Sequence, residues 1–399
     1  MRKIAFFHIP AHGHANPTFE VMHALTQRGH EVRCYSFDLF RTRVKQAGAS
    51  LFSCDEFIPA PPQDLHRRMG HDAACLIAML VDTALRMEDA VLTDLQLFAP
   101  DCAVVDSLCI WGRLFAQWLG LPVAVSTTTF AFNRATSRLM KRDLKEILYA
   151  VRGLPQILSR LRALKRRGYD ASVLGQLAAN DPRTPTIVYT SRAFQPDGES
   201  FGENYAFVGP SLPALPKAAS SFGNPLLYVS LGTAVYNPAF FQNCIEALRD
   251  FHGHVLLSAG SEACIACLRD IPPHITVYPS VPQLAVLQEA DGFITHCGMN
   301  SVSESLSLGV PMVLCPQQSE QRAVARRIQA LGAGLFPPSR TPAGIRRAVD
   351  VLLRDRARFQ AAIAPICESF RQSGGASRAA DFIERIARSK ICARFFLLP

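Results

Sequence analysis

Short apolar runs alternate with longer amphipathic stretches in the first half of the chain. The runs have the length of buried strands and lie at residues 3–8, 31–36, 102–106 and 122–126. Helices are predicted from Pro17 to Gly29 and over residues 111–119. Strands that alternate with helices indicate parallel βαβ units, so the pattern predicts a doubly wound α/β sheet.

The same alternation restarts after an aperiodic stretch, LPALPKAASSFGNP, at residues 212–225. Its proline, alanine, serine and glycine are typical of a linker between domains. The strands predicted beyond it are 226–230, 254–258, 292–295 and 311–315, and the helices are 238–251 and 301–308. We therefore expect an N-terminal Rossmann-like domain over 1–211 and a C-terminal one over 226–399, whose last helix, at about 376–386, crosses back to the first domain.

Basic residues are concentrated in one segment. The 399-residue chain has 42 Lys and Arg against 33 Asp and Glu, a net charge of +9. Residues 134–167 hold eleven of these bases and two of the acids, a surplus that accounts for the whole net charge. A nucleic-acid-binding protein has a wider basic footprint, so we expect no nucleic-acid partner. A pair of lid helices with a solvated basic face is the favoured interpretation, and peripheral contact with an anionic membrane is the alternative.

The remaining composition favours a cytoplasmic protein without a metal. No apolar run approaches the ~20 residues of a membrane span, and the N-terminal run is interrupted by His8 and lacks a cleavage site. The twelve cysteines form no disulfide framework, which indicates reduced thiols. His12 and His14 have no carboxylate or cysteine at a helpful spacing, so we expect no metal ligand there.

A glycine-containing turn joins a predicted strand to a helix that begins near Asn300. A helix N-terminus offers backbone N–H groups and the positive end of the dipole, and Gly298 lets a ligand approach the backbone. His296 adds a donor, and Glu304 lies one turn along the helix, at the depth of a ribose hydroxyl. A bare turn of this kind is usually structural, with Asn300 or Ser301 as the N-cap, but the whole stretch 280–321 predicts a nucleoside-diphosphate site.

Two polar residues are predicted at the carboxyl edge of the first sheet. His14 lies in the loop before the helix opened by Pro17, and Asp106 ends the apolar strand CAVVD. A carboxylate after four apolar residues requires a partner or solvent, and a histidine beside it acts as a general base near neutral pH. The alternatives are a histidine that caps a helix and an aspartate that caps the helix near residue 111.

The densest motifs resemble the donor signature of family 1 glycosyltransferases, and they are most similar to the bacterial macrolide glycosyltransferases. The matching blocks are HCGMNSVSE at 296–304, VPQ at 281–283 and SEQ at 319–321. AHGHANP at 11–17 resembles the family's base-bearing loop, and YVSLGT at 228–233 resembles the first loop of its donor half. The resemblance covers nearly the whole chain and implies the GT-B fold, two Rossmann-like doubly wound domains that face each other across a cleft.

The resemblance implies a role for each matched residue. Diphosphate binding is implied for Gly232, Thr233, His296, Gly298, Asn300 and Ser301; ribose binding for Glu304; base recognition for Val281 and Gln283; hexose binding for Glu320 and Gln321; and catalysis for His14 as base with Asp106 as its partner. The implied reaction is metal-independent, inverting transfer of a hexose, glucose first, from a UDP-sugar to a hydroxyl of a hydrophobic small molecule. Ser280 stands where many members carry an aromatic residue against the base, which keeps dTDP-sugars open as donors.

Two other functions remain open on this fold. A nucleotide-sugar epimerase would share the diphosphate site without needing a base for an external acceptor. A non-catalytic auxiliary protein would lack either the base or the phosphate block, and this sequence has both. We expect a monomer or a weak dimer.

Overall fold

The computed structural model describes residues 1–59, 72–133, 135–136, 144–170, 172, 174–175, 183–213, 225–232 and 235–388. The chain divides into two compact units, and each is described by itself. Unit 1 comprises Met1–Leu212 and the chain from Ser373 on, and unit 2 comprises Pro213–Gln372. Most of the linker predicted at 212–225, as well as Thr233 and the C-terminal tail, lies outside the described residues.

Unit 1 is built on a seven-stranded parallel sheet with the order β3-β2-β1-β4-β5-β6-β7. Its strands are β1 (Lys3–Phe7), β2 (Glu31–Ser36), β3 (Ser50–Ser53), β4 (Cys102–Asp106), β5 (Val123–Thr127), β6 (Thr186–Val188) and β7 (Tyr205–Phe207). Every residue of β4 is buried, as expected for a central strand covered on both faces.

The described helices of unit 1 pack against this sheet and against one another. They are α1 (His12–Gln27), α2 (Arg41–Gln46), α3 (Ala73–Phe98), α4 (Ile110–Trp118) and α5 (Leu144–Arg166). The basic segment, interpreted from the sequence as a pair of helices, is one 23-residue helix over its described part, α5. None of the described helices combines the length and the apolar character needed to cross a membrane.

The predicted start of α1 is wrong. The helix begins at His12, and Pro17 lies inside it instead of opening it. The N–H group of Ala15 donates to the carbonyl of Ala11 at 3.1 Å, so the first turn closes before the proline. Pro17 lies beyond this first turn, at a position where other residues donate to the carbonyl four residues earlier, so the helix lacks one backbone hydrogen bond there. His14 therefore lies on a helical turn and not in a loop.

Unit 2 repeats the architecture with a six-stranded parallel sheet of order β10-β9-β8-β11-β12-β13. The strands are β8 (Leu226–Ser230), β9 (His254–Ser258), β10 (Ile275–Tyr278), β11 (Gly292–Thr295), β12 (Met312–Leu314) and β13 (Gly334–Leu335). The helices are α6 (Pro238–Ala247), α7 (Glu262–Ile265), α8 (Gln283–Glu289), α9 (Met299–Ser307), α10 (Ser319–Ala330), α11 (Pro342–Arg354) and α12 (Arg356–Gln372).

The last described helix, α13 (Gly375–Arg388), returns to unit 1 as predicted. Its buried face carries Phe382, Ile383 and Ile386 into the core of that unit. Arg28, just after α1, donates to Asp381 at 2.7 Å and to Glu384 at 3.0 Å. Exposed ion pairs of this kind add little stability, so the apolar face holds the helix in place and the ion pairs set its register.

Candidate active site

The first polar cluster lies at the switch point of the unit 1 sheet. β1 and β4 are neighbouring parallel strands, and the chain continues from them to opposite sides of the sheet. Open α/β sheets bind ligands in the crevice at the carboxyl ends of such a strand pair. His14 lies in the first turn of the helix after β1, and Asp106 is the last residue of β4. The two predicted residues therefore meet at the edge where this sheet binds ligands.

Their geometry is that of a histidine–carboxylate dyad. The His14 Nδ1 atom lies 2.8 Å from Asp106 Oδ2, and the other Asp106 oxygen, Oδ1, accepts the N–H of Leu108 at 2.9 Å. The Asp106 side chain is fully buried, while that of His14 is 25% exposed. Because the carboxylate accepts from Nδ1–H, the lone pair of the imidazole is on Nε2. Asp106 does not cap α4, since the residue at its N-cap position is Cys109.

A buried arginine lies close to this dyad. Arg113 on α4 is 5% exposed and donates from Nη2 to the carbonyl of Ser107 at 3.2 Å. Burial lowers its pKa, and the negative charge of Asp106 opposes that shift. The guanidinium thus adds positive potential where the Asp106 carboxylate is buried. The sequence offered no signal for this contact beyond a basic residue seven positions after the aspartate.

The two other histidines of the N-terminal stretch have different surroundings. His8 is buried; its Nε2 atom lies 2.9 Å from Thr18 Oγ1 and its Nδ1 atom 3.3 Å from Ser36 Oγ. Burial lowers the pKa of His8 to about 4, although Asp106 opposes the shift. His12 packs edge-on against the ring of Phe40, and burial lowers its pKa. Of the three, only His14 has a hydrogen bond to a carboxylate within the described part of the chain.

The second cluster lies at the switch point of the unit 2 sheet, between β8 and β11. His296 follows β11 directly, and its imidazole fits between two glycines. A Cβ atom on Gly298 would lie 2.5 Å from Nε2 of His296, and one on Gly232 would lie 2.8 Å from Cε1. Cys297, which lies between His296 and Gly298 in the chain, has a φ of 66°, a left-handed conformation that residues other than glycine seldom adopt. The turn is therefore shaped around the imidazole.

His296 is a neutral imidazole at physiological pH. Burial lowers its pKa to about 4. Its Nδ1 atom is buried and makes no hydrogen bond of good geometry among the described residues, although a backbone interaction with Ser230 opposes part of the pKa shift. A buried polar atom without a partner is costly, and such atoms often mark a place where a ligand binds. The interaction that this ring can offer is a neutral N–H donor and not a positive charge.

The N-terminus of α9 lies beside this imidazole. Gly298 is the N-cap residue, and its carbonyl accepts the N–H of Val302 at 3.0 Å. The backbone N–H groups of the first turn, which includes Asn300 and Ser301, point out along the axis at the positive end of the helix dipole. This arrangement suits an anion such as a diphosphate. Thr233, predicted to bind it as well, lies outside the described residues.

Three of the predicted donor residues form one hydrogen-bonded network. The Gln283 amide donates from Nε2 to Glu304 Oε2 at 2.6 Å and to Ser301 Oγ at 3.1 Å. Its carbonyl oxygen lies 3.3 Å from Tyr228 Oη. Burial raises the pKa of Tyr228 to about 12, so its hydroxyl stays protonated and donates. Tyr228, stacked on Phe293, was not singled out from the sequence, and it sets which end of the Gln283 amide faces Glu304.

The remaining predicted residues lie on α10 and in the loop before α8. Gln321 is buried, and its Oε1 atom accepts the backbone N–H groups of Gln317 at 2.8 Å and Gln318 at 3.2 Å. One end of that amide therefore holds the loop before α10. Glu320 is half-buried in the first turn of α10. Val281 is half-buried and lies just before α8.

Comparison with known sequences places the chain in a family. Residues 242–369 match the model of the erythromycin biosynthesis protein CIII-like C-terminal domain. The NDP-glycosyltransferase YjiC of Bacillus licheniformis is 33% identical over 96% of this chain and 97% of its own length. The demethyllactenocin mycarosyltransferase of Streptomyces fradiae is 31% identical over 96% of this chain and 86% of its own.

A solved structure agrees with these sequence matches. The glycotransferase of kitacinnamycin has 27% identity and a TM-score of 0.77 over 96% of this chain and 98% of its own. Its similarity extends over both parallel-sheet units, which fits the predicted pair of Rossmann-like folds. The chain is thus a glycosyltransferase of the GT-B fold, and it belongs to family 1 of these enzymes, among relatives of the macrolide-type members.

Proposed function

We propose that this enzyme is an inverting glycosyltransferase that moves a hexose from a UDP-sugar to a hydroxyl group of a hydrophobic small molecule. Glucose is the favoured hexose. The observation that carries the proposal is the 2.8 Å contact between His14 and the fully buried carboxylate of Asp106 at the switch point of the unit 1 sheet. A hydroxyl nucleophile needs a base, and a histidine hydrogen-bonded to a buried carboxylate has the geometry that this role requires.

In the proposed step, the Nε2 atom of His14 takes the proton of the acceptor hydroxyl. The acceptor oxygen forms a bond to the anomeric carbon while the bond from that carbon to the diphosphate oxygen breaks. The electron pair leaves with the nucleoside diphosphate, and the configuration at the anomeric carbon inverts. Asp106 holds the tautomer of His14 and stabilises the imidazolium that forms, and the nearby Arg113 adds positive potential around the buried carboxylate.

Residues of unit 2 would stabilise the negative charge that develops on the leaving diphosphate. The N-terminus of α9 and the neutral imidazole of His296 would donate hydrogen bonds to it, without a metal ion. Asn300, Ser301 and Gly232 would complete the phosphate contacts, with Glu304 on the ribose hydroxyls. Gln283 and Val281 would lie against the base, and Glu320 and Gln321 against the hexose.

The proposed acceptor class rests on the names of proteins to which this chain is similar. The Streptomyces fradiae relative and the solved glycotransferase are named for natural products, demethyllactenocin and kitacinnamycin. For this chain we propose a hydrophobic hydroxylated molecule of comparable size as the acceptor.

A donor and acceptor screen tests the proposal. Purified enzyme is incubated with UDP- and dTDP-sugars and with phenols, macrolides and sterols, and the products are read by mass spectrometry. We expect a glycoside whose anomeric configuration is opposite to that of the donor, and no loss of turnover in EDTA. Retention of configuration, loss of turnover with EDTA, or conversion of the nucleotide sugar without an acceptor would overturn the scheme, the last in favour of an epimerase.

A further inference from the structure

The outer face of α5 carries an apolar stripe that the proposed chemistry does not use. Its large side chains are exposed to different extents: Leu148 49%, Val151 67%, Leu154 52% and Leu158 41%. Their spacing of three or four residues places them on one side of the helix. A run of exposed apolar side chains on one face is uncommon on a soluble surface and marks an interaction site.

The packing of α5 on α3 fixes the stripe toward the outside. A Cβ atom on Gly153 would lie 2.0 Å from the Cβ of Ala74, so the two helices are in backbone-close contact there. Arg160 holds Asp82 of α3 through two hydrogen bonds, at 3.2 Å from Nε and 2.8 Å from Nη2. Leu164 is fully buried on the same side. The helix is therefore anchored by one face and presents the other.

Basic side chains continue the stripe along the same outer face. Those that are exposed are Arg152, Arg162, Lys165 and Arg166. The described acidic groups nearby include two exposed ones, Asp89 and Asp170, of which Asp170 interacts with Lys165. Two others are engaged within unit 1. Asp82 pairs with Arg160, and Glu88 accepts from Tyr169 at 2.9 Å and lies 3.5 Å from Arg167. The outer face thus keeps a surplus of positive charge next to apolar side chains.

We propose that this face of α5 docks reversibly on anionic phospholipid bilayers. The apolar stripe would enter the boundary between headgroups and acyl chains, while the arginines and lysine contact the phosphates. RNA would use the charges but would give the four apolar side chains no partner. The inference is independent of the acceptor, because lipid binding can be measured without turnover.

Co-sedimentation with vesicles of phosphatidylcholine, alone or mixed with phosphatidylglycerol, tests the proposal. Wild type should pellet with the mixed vesicles and stay in solution with phosphatidylcholine alone. The pairs Val151→Ser with Leu154→Ser and Arg162→Gln with Arg166→Gln should each weaken binding by about fivefold or more. Matched controls are Leu39→Ser with Leu97→Ser, and Arg358→Gln with Arg371→Gln. These change equally exposed residues elsewhere and should bind like wild type.

A second measurement reports insertion. The tryptophan added in Leu154→Trp should shift to shorter emission wavelength and be quenched by brominated lipid, whereas the one added in Leu97→Trp should not. Both are measured as differences from wild type, because Trp111 and Trp118 also emit. Equal quenching of both variants, or equal pelleting with both kinds of vesicle, would overturn the proposal. Binding that survives the serine pair but not the glutamine pair would also overturn it, because the face would then be a general polyanion site.

Discussion

His14 and His296 each follow the strand at the switch point of their own sheet, yet their surroundings make them chemically different. His14 is 25% exposed, and its Nδ1 atom contacts the fully buried carboxylate of Asp106. His296 fits between two glycines without such a partner, and burial lowers its pKa to about 4. In the proposed mechanism one residue type thus serves as a base in unit 1 and as a neutral donor in unit 2, and the environment decides between the two roles.

The largest effect should come from His14→Ala. Without an imidazole to accept the proton of the acceptor, kcat should fall by about 10²- to 10⁴-fold, which is the usual contribution of a general base. Binding of UDP should stay at the wild-type level, because the donor turn belongs to unit 2. The matched control is His12→Ala, which removes the other imidazole of the same helical turn and should leave kcat within about twofold. Kinetics and calorimetric UDP titration check both expectations, and a kcat near the wild-type value for His14→Ala would exclude it as the base.

Asp106→Asn tests whether the carboxylate sets the tautomer. An asparagine at this position would accept the N–H of Leu108 and turn its amide N–H₂ toward His14 Nδ1. The ring proton would move to Nε2, where the base is needed, and kcat should fall by about 10²-fold or more.

Asp101→Asn, at the residue just before β4, is the control for Asp106→Asn. Asp101 lies just before β4, at the opposite edge of the sheet, where it accepts from Arg2 at 2.9 Å and from the Lys3 N–H at 2.8 Å. This variant should lose some stability and keep its kcat. If both asparagine variants lowered kcat alike, the effect of Asp106→Asn would be structural.

In unit 2 the corresponding test is Gly298→Ala. Its backbone is extended, with a φ of −64° and a ψ of 139°, a conformation that alanine adopts without strain. The added methyl group therefore acts by displacing the His296 ring, whose Nε2 atom would lie 2.5 Å from it. We expect UDP to bind about tenfold more weakly, the value of one lost hydrogen bond to a charged group. The effect should largely vanish in a His296→Ala background, where nothing remains to be displaced. Gly202→Ala, which meets no atom within 4 Å, is the control. Additive losses in the double variant would show that the methyl group acts on something other than the imidazole.

In both units, some elements can be predicted from the sequence and others cannot. Five predicted strands agree with the structure residue for residue, among them 102–106 and 292–295, because buried parallel strands read as short apolar runs with clear ends. Strands of two or three residues, such as Thr186–Val188 and Gly334–Leu335, carry too little pattern to predict. Pro17 does not mark the start of α1, because the first turn of that helix closes at Ala15, before the proline.

Side chains at strand ends were also predictable, since parallel topology brings their positions together. His14 and Asp106 meet for this reason although 92 residues separate them. The contacts of Tyr228 with Gln283, and of Gln321 with its own loop, depend on side-chain directions that no periodicity encodes. The same holds for Arg113, whose burial near the dyad follows from how α4 packs on the sheet.

The last prediction concerns stability and not turnover: His8 in unit 1 is a histidine whose pKa is lowered chiefly by burial. Its folded-state pKa of about 4 lies below the ordinary 6.5, so as the pH falls the unfolded chain takes up the proton first. The stabilisation is complete above about pH 6.5 and is lost progressively toward pH 4. Between pH 7 and pH 5 the free energy of unfolding of unit 1 should fall by about 2 kcal/mol from this group.

Trp111 and Trp118, the two tryptophans of the chain, both lie in unit 1, so urea denaturation followed by their fluorescence reports this unit. His8→Gln should be less stable at pH 7 because it disturbs the contacts with Thr18 and Ser36, but its loss between pH 7 and pH 5 should be smaller by the same 2 kcal/mol. If His8→Gln had the same pH dependence as wild type, burial would not be what keeps His8 neutral. Burial would then not explain the difference between such histidines and those paired with a carboxylate.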